Sequence, residues 1–202
     1  MKKCIILFLS LILALALFAS CGNPGEEQVL PENDENVQTE PVDLVHAEIT
    51  IKDYGTVKLE LDPNEAPITV ENFVKLAKDG FYTGLKFHRI MNGFMIQGGA
   101  NPEVNLDPIV GEFSDNGYAN TISHTEGVIS MARTPDYNSA TSQFFITVAD
   151  ATFLDGQYAA FGRVTEGLDI CKKIASDSRP IDDNGTIPED EQPIIESIVI
   201  TD

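Results

Sequence analysis

The sequence predicts a mostly β domain, closed or sandwiched, with helices covering its ends. Three observations lead there. Residues 46–51 and 55–61 alternate apolar and polar, which puts Ala47, Ile49 and Ile51, then Val57, Leu59 and Leu61, on one face. That is the period of a half-buried strand. Short apolar runs at 86–90, 94–98, 127–132, 144–147 and 160–164 are separated by segments carrying Gly, Asn and Asp, the punctuation of strands and turns. Helical spacing stands out in one early stretch, 67–79, and one late one, 168–175.

In chain order, Asp53, Tyr54 and Gly55 supply the turn that makes the first two strands a hairpin. The first helix follows from Val70, Phe73, Val74 and Ala77 at i, i+3, i+4 and i+7. Thr69 offers it a capping hydroxyl and Gly80 a stop. An acidic loop over 177–192 leads into a last strand at 194–201, and no segment repeats another.

The folded domain is expected over 46–202. Ahead of it, Lys2 and Lys3, an apolar run over 5–18 and the small residues Ala19 and Ser20 read as a secretory signal over 1–20. The run is shorter than the roughly 20 residues a spanning helix needs. Phe18, Ala19, Ser20 and Cys21 resemble a bacterial lipobox, with Phe18 where Leu is usual. The expectation is cleavage before Cys21, lipid chains carried on Cys21, and an extracytoplasmic protein held to the cell membrane by that lipid alone, since several acyl chains anchor stably. Residues 22–45 carry seven acidic side chains, no Lys or Arg, and Pro24, Pro31 and Pro41. Such a segment buries too little to fold and reads, together with Cys21, as an acidic tether over 21–45 with a reach of about 25–30 Å.

The formal charge of −19 excludes a nucleic-acid footprint, which needs a basic face, and a polybasic grip on anionic lipid. With Cys4 in the leader and Cys21 lipidated, Cys171 is the one cysteine left to the domain, so no internal disulfide is expected and Cys171 reads as a small buried hydrophobe. No Walker loop or dinucleotide fingerprint is present. His46, His88 and His124 lack metal-ligand spacing, the segment around Asp182 lacks the calcium-loop frame, and Ser130, Ser139 and Ser142 have no nucleophile elbow. No cofactor or metal is expected, and nothing demands assembly, so a monomer is expected.

The chemistry concentrates in FHRIMNGFMIQGG, residues 87–99, where Arg89 and Gln97 bracket Phe94 and Met95. This reads as an apolar pocket with a polar wall. The same block, the segment from Gly127 through SMAR (130–133) to SATSQFFI (139–146), and FLDGQYAAFGRV (153–164) together resemble the signature blocks of the cyclophilins, peptidyl-prolyl cis-trans isomerases, over essentially 46–201. The resemblance implies a closed eight-stranded antiparallel β-barrel capped by two α-helices. It places the catalytic arginine at Arg89 with Gln97 beside it, and a proline pocket at Phe94, Met95, Phe145 and Leu154. Ala132, Arg133 and Gln143 fall along the peptide groove, and His88, Phe153 and Tyr158 join the substrate-binding set. Arg133 stands where asparagine is usual, Phe153 where tryptophan is frequent, and Tyr158 where the family has histidine. Without an indole N–H at Phe153, cyclosporin binding should be weakened while catalysis is kept.

What the resemblance implies about function is rotation of X-Pro bonds in unfolded or extended polypeptides, aiding their folding. The alternative is a proline-peptide binding or chaperone module on the same barrel without turnover. A transporter's substrate-binding lipoprotein is disfavoured, because one small barrel lacks paired lobes. Isomerisation breaks no bond, so the absence of an obvious nucleophile or base is no obstacle.

Overall fold

The computed structural model describes residues 41–201. The leader, Cys21 and most of the acidic tether lie outside the described residues. Eight antiparallel strands form one sheet: β1 (Val45–Ile51), β2 (Gly55–Leu61), β3 (Phe87–Met91), β4 (Met95–Gly98), β5 (Val128–Met131), β6 (Phe144–Thr147), β7 (Ala160–Glu166) and β8 (Ile195–Ile200), with helices α1 (Pro67–Lys78) and α2 (Leu168–Asp177). β1 thus begins at Val45, and just ahead of it Val42 exchanges hydrogen bonds with the side chain of Asn64, at 2.8 and 2.9 Å. The order across the sheet is β3-β4-β6-β5-β7-β2-β1-β8.

Alternation along each strand divides the sheet into two faces. Inside, Ile90, Ile96, Ile146 and Ile129 pair in sequence across β3, β4, β6 and β5, each fully buried. Ile49, Ile51, Val57, Leu59 and Leu61 continue this face on the first hairpin, as their spacing predicts. α1 closes one end. Its buried stripe is Thr69, Val70, Phe73, Leu76 and Ala77, and Phe73 meets Tyr82, Phe144 and Phe161 at centroid distances of 5.3, 5.6 and 5.3 Å. Burying that ring contributes about 2–3 kcal/mol. α2 buries Cys171, Ile174 and Ala175, and burial pushes the Cys171 thiol up to about 12. The thiol is therefore inert packing.

The closed barrel is corrected in one respect. The sheet curls strongly, but its end strands β3 and β8 share no ladder. The seam is bridged instead by an isolated pair, Lys86 with Ile194, by Phe87 N–H donating to the Pro193 carbonyl at 2.9 Å, and by the 184–187 segment lying along β3, where Ile90 N–H donates to Gly185 O at 2.8 Å and Ile187 N–H to His88 O at 3.0 Å. Pro188 and Pro193 fall in this return. A prolyl nitrogen has no N–H to give a ladder, so an irregular seam stands where an eighth pairing would close the barrel.

The cap of α1 is also corrected. Pro67 stands at the first helical turn and Ala66 is the N-cap, with no side-chain cap of its own. Thr69 lies inside the helix. The donors are taken by a buried carboxylate from far along the chain: Glu112, 1% exposed, accepts from Ile68 N–H at 3.0 Å, Thr69 N–H at 2.7 Å and the Thr69 hydroxyl at 2.7 Å. An anion at a helix N-terminus meets both free N–H groups and the positive end of the dipole. At the other end Gly80, at φ +70°, lets Phe81 N–H reach back to Leu76 O at 3.0 Å, a glycine stop as expected.

Candidate active site

The outer face of the same strands carries the candidate site. Arg89 pairs with Gln97, Gln97 with Phe145, and Phe145 with Ser130. The row alternates with the buried isoleucine row one residue away. Met95 shares the outer face of β4, two residues from Gln97. The β3–β4 turn delivers Phe94, and a 3-10 turn at Thr152–Leu154 lays Leu154 and Phe153 against it. A cavity of about 230 Å³ results, lined by Arg89, Phe94, Met95, Gln97, Ala132, Arg133, Phe145, Leu154 and Tyr158. Met95 and Phe145, 1% and 5% exposed, form its floor, while Phe153, 65% exposed, packs on Phe94 at 5.5 Å as the rim.

The polar wall is a chain of three side chains. Gln143 Oε1 accepts from Gln97 Nε2 at 3.1 Å, and Gln97 Oε1 accepts from Arg89 Nη1 at 3.1 Å. Arg89 Nε donates to the Asn184 carbonyl at 2.7 Å, and Nη2 reaches Met91 Sδ at 3.3 Å. The guanidinium is held from two sides, so its direction is set. Asn184 belongs to the acidic loop over 177–192, and it approaches β3 this closely because Gly185 follows it. A Cβ there would stand 2.6 Å from Met91 Cγ and 2.8 Å from Ile90 O.

Arg133 and Tyr158, two departures from the family pattern, touch each other. The Arg133 guanidinium carbon lies 4.6 Å from the Tyr158 ring, 4.9 Å from Tyr137 and 5.1 Å from Phe113. Its Nε donates to Gln157 O and its Nη1 to Thr134 O, both at 2.9 Å. The long cation, stacked and hydrogen-bonded, builds one wall of the cavity from three loops. Ala132 N–H is taken by Gln143 O at 2.9 Å.

The structure does not bring His88 to this cavity. β3 and β4 slip register between Phe87 and Arg89, and His88 lines a separate depression with Leu85, Lys86, Asn101 and Gln192. Its Nδ1 is buried without a hydrogen-bond partner. Burial first, and the Arg89 charge second, lower its pKa.

Sequence reasoning also passed over a group behind the cavity floor. His124, 1% exposed, stacks on Phe145 with ring centroids 6.0 Å apart and planes 15° from parallel. Its Nδ1 lies 2.9 Å from Asp155 Oδ1 and its Nε2 3.1 Å from Ser130 Oγ. Partners 31 and 6 residues away leave no local signal to find. Burial lowers the pKa of His124, with Asp155 offsetting part of the effect. The ring is neutral at pH 7, with its proton on Nδ1 facing the carboxylate.

These two histidines set an acid limit on stability. Both bind protons less tightly folded than unfolded, so below pH 6.5 the unfolded chain takes up more protons and stability declines as pH falls. Thermal melts should therefore show a lower Tm at pH 5 than at pH 7.5, and His88→Asn should flatten part of that slope. Equal melting temperatures in wild type would contradict the burial argument.

The model of the family described as cyclophilin type peptidyl-prolyl cis-trans isomerase/CLD matches residues 46–201. Peptidyl-prolyl cis-trans isomerase A of Dickeya dadantii is 46% identical over 130 residues, covering 60% of this chain and 66% of its own length. Peptidyl-prolyl cis-trans isomerase B of Escherichia coli is 39% identical over 134 residues, covering 60% and 79%. Among solved structures, a cyclophilin type isomerase of Cryptosporidium parvum, determined in the presence of the dipeptide Ala-Pro, superimposes with a TM-score of 0.66 at 26% identity, covering 78% of this chain and 99% of that one. A cyclophilin from Hirschia baltica gives 0.61 at 30% identity, covering 80% and 74%.

Proposed function

Because this chain belongs to the cyclophilin-type peptidyl-prolyl cis-trans isomerase family, we propose that it accelerates rotation about X-Pro bonds by holding the proline ring in the apolar cavity and aiming Arg89 at the prolyl nitrogen. One observation carries this reading: a guanidinium fixed by Gln97 and Asn184 on the wall of a cavity floored by Met95 and Phe145. The barrier to rotation is the partial double bond of the imide, about 18–20 kcal/mol. Twisting it returns the lone pair to nitrogen. A cation placed there interacts more strongly with the twisted bond than with the planar one, and each ~1.4 kcal/mol of such preference is tenfold in rate. The floor immobilises the ring and excludes water, which strengthens the charge's effect. Gln97 acts on the arginine rather than on the bond.

The Ala-Pro dipeptide of the Cryptosporidium structure supports proline-containing polypeptides as the substrate class. Phe153 offers no N–H at the rim, which supports weakened binding of cyclosporin. The reading is tested by NMR exchange or protease-coupled assay on an X-Pro peptide. Acceleration over the uncatalysed tens to hundreds of seconds is expected, whereas tight peptide binding without acceleration would establish the binding-module alternative.

The leader and the lipobox-like Phe18 to Cys21 support an extracytoplasmic site of action, on a lipid anchor at Cys21 with the acidic segment as a spacer. Secreted chains reach that side unfolded, and prolyl isomerisation is one of their slow steps. Cys21→Ser should move the protein from the membrane to the soluble fraction. Unchanged fractionation would refute the anchor.

A further inference from the structure

Ser130, His124 and Asp155 are linked in the order of a hydrolase triad, yet Ser130 is fully buried and no carbonyl could reach its oxygen. The group points instead at the cavity from behind. Asp155 follows Leu154 directly. Its Oδ1 accepts from both the His124 backbone N–H at 2.7 Å and the ring Nδ1 at 2.9 Å, and its Oδ2 accepts from the Ser123 hydroxyl at 2.6 Å. At the start of the same 3-10 turn, Ala151 N–H donates to His124 O at 2.7 Å. The turn carrying Leu154 is therefore strapped to His124 at both ends, while the His124 ring backs Phe145, whose other neighbour Tyr158 meets it edge-on at 5.8 Å and 86°.

We propose that Asp155 and His124 are positioning residues for the isomerase site: one carboxylate sets the plane of the imidazole and the seat of the turn, and so holds part of the floor and one wall of the proline cavity, Phe145 and Leu154, in the geometry that turnover needs. The proposal rests on the reading of this cavity as the isomerase site. A neutral imidazole suits the task, since Nδ1–H donates to Asp155 while Nε2 accepts from the Ser130 hydroxyl. With both nitrogens engaged the ring cannot turn, and a stacked Phe145 inherits that orientation. Asp155 is held below its ordinary pKa: partial burial pushes it up, but hydrogen bonds from the His124 N–H, the Ser123 hydroxyl and the imidazole outweigh this.

The test is kinetic and spectroscopic on Asp155→Ala, Asp155→Asn and His124→Phe, with the same domain and peptide and at a temperature where each variant is folded. Small displacements of positioning groups are costly, so Asp155→Ala and His124→Phe should each lower kcat/KM about tenfold per folded molecule. Asp155→Asn, which keeps the shape and an acceptor, should recover to within about threefold of wild type. His124→Phe separates positioning from packing, because it preserves the stacked ring and removes only its hydrogen bonds. Aromatic NMR of Phe145 should show faster ring exchange in Asp155→Ala and His124→Phe than in wild type. That signal is read without turnover, so it judges the strap even if the wild-type protein proved inactive and the isomerase reading failed. Should Asp155→Ala not fold, His124→Phe and Asp155→Asn decide alone. A kcat/KM within twofold of wild type in His124→Phe, or unchanged Phe145 exchange, would reduce the strap to a stabilising role and overturn the proposal.

Discussion

Arg89→Ala is expected to lower kcat/KM by about 10²–10³-fold, the range found when one preorganised donor to a developing charge is removed, while thermal unfolding shows the fold intact. The side chain lies outside the core, so truncation removes charge and direction without opening a buried cavity. Its departure also frees Gln97 Oε1 and the Asn184 carbonyl, both within reach of water. Arg89→Lys should recover little, because an ammonium cannot donate to Gln97 and Asn184 at once while still facing the cavity. NMR exchange on an X-Pro peptide measures both variants. Rates equal to wild type for Arg89→Ala would remove the electrostatic mechanism and leave only the cavity to explain any acceleration.

The second large effect falls on stability. Glu112→Ala takes away the acceptor for two backbone donors and one hydroxyl in a buried setting, and nothing replaces it. Buried donors left unmade cost about 1–3 kcal/mol each, so a total loss of about 3–5 kcal/mol is expected, or a fall in Tm of roughly 10 °C. Thr69→Val removes only the hydroxyl and should cost about 1 kcal/mol. Circular dichroism melts of the two variants distinguish the cap from the hydroxyl alone. A Glu112→Ala protein melting within 2–3 °C of wild type, roughly 1 kcal/mol, would show that water or another donor satisfies the turn. The loss should also reach the site's far wall, since Glu112 precedes Phe113, one of the rings under Arg133.

What was legible in the sequence was what repeats locally. Alternation at Ala47, Ile49 and Ile51 marks β1, and helical spacing from Val70 to Ala77 marks α1, with Gly80 as its stop. Most site residues were legible for another reason, the resemblance of their blocks to the cyclophilins, and the pairing of β4 with β6 shows why those blocks converge: Gln97 stands opposite Phe145. What escaped depends on distant partners. The Glu112 cap spans 44 and 43 residues to Ile68 and Thr69, Asn184 meets Arg89 across 95, and Asp155 meets His124 across 31. None leaves a periodicity. The misplacement of His88 has the same origin, because a register slip next to Arg89 is a property of the pairing and not of either strand.

The two rows of side chains, one of isoleucines within and one of Arg89, Gln97 and Phe145 without, are offset by a single residue on the same four strands. A slip of one position in any of those pairings would swap the faces, driving a guanidinium into the hydrocarbon interior and an isoleucine onto the groove. No half-assembled form of this sheet can therefore possess a working groove. Turnover on a short peptide becomes a gauge of correct assembly: in a refolding sample, specific activity counts the molecules whose strands have found their alignment, and it discriminates against compact impostors that a measure of secondary structure would accept.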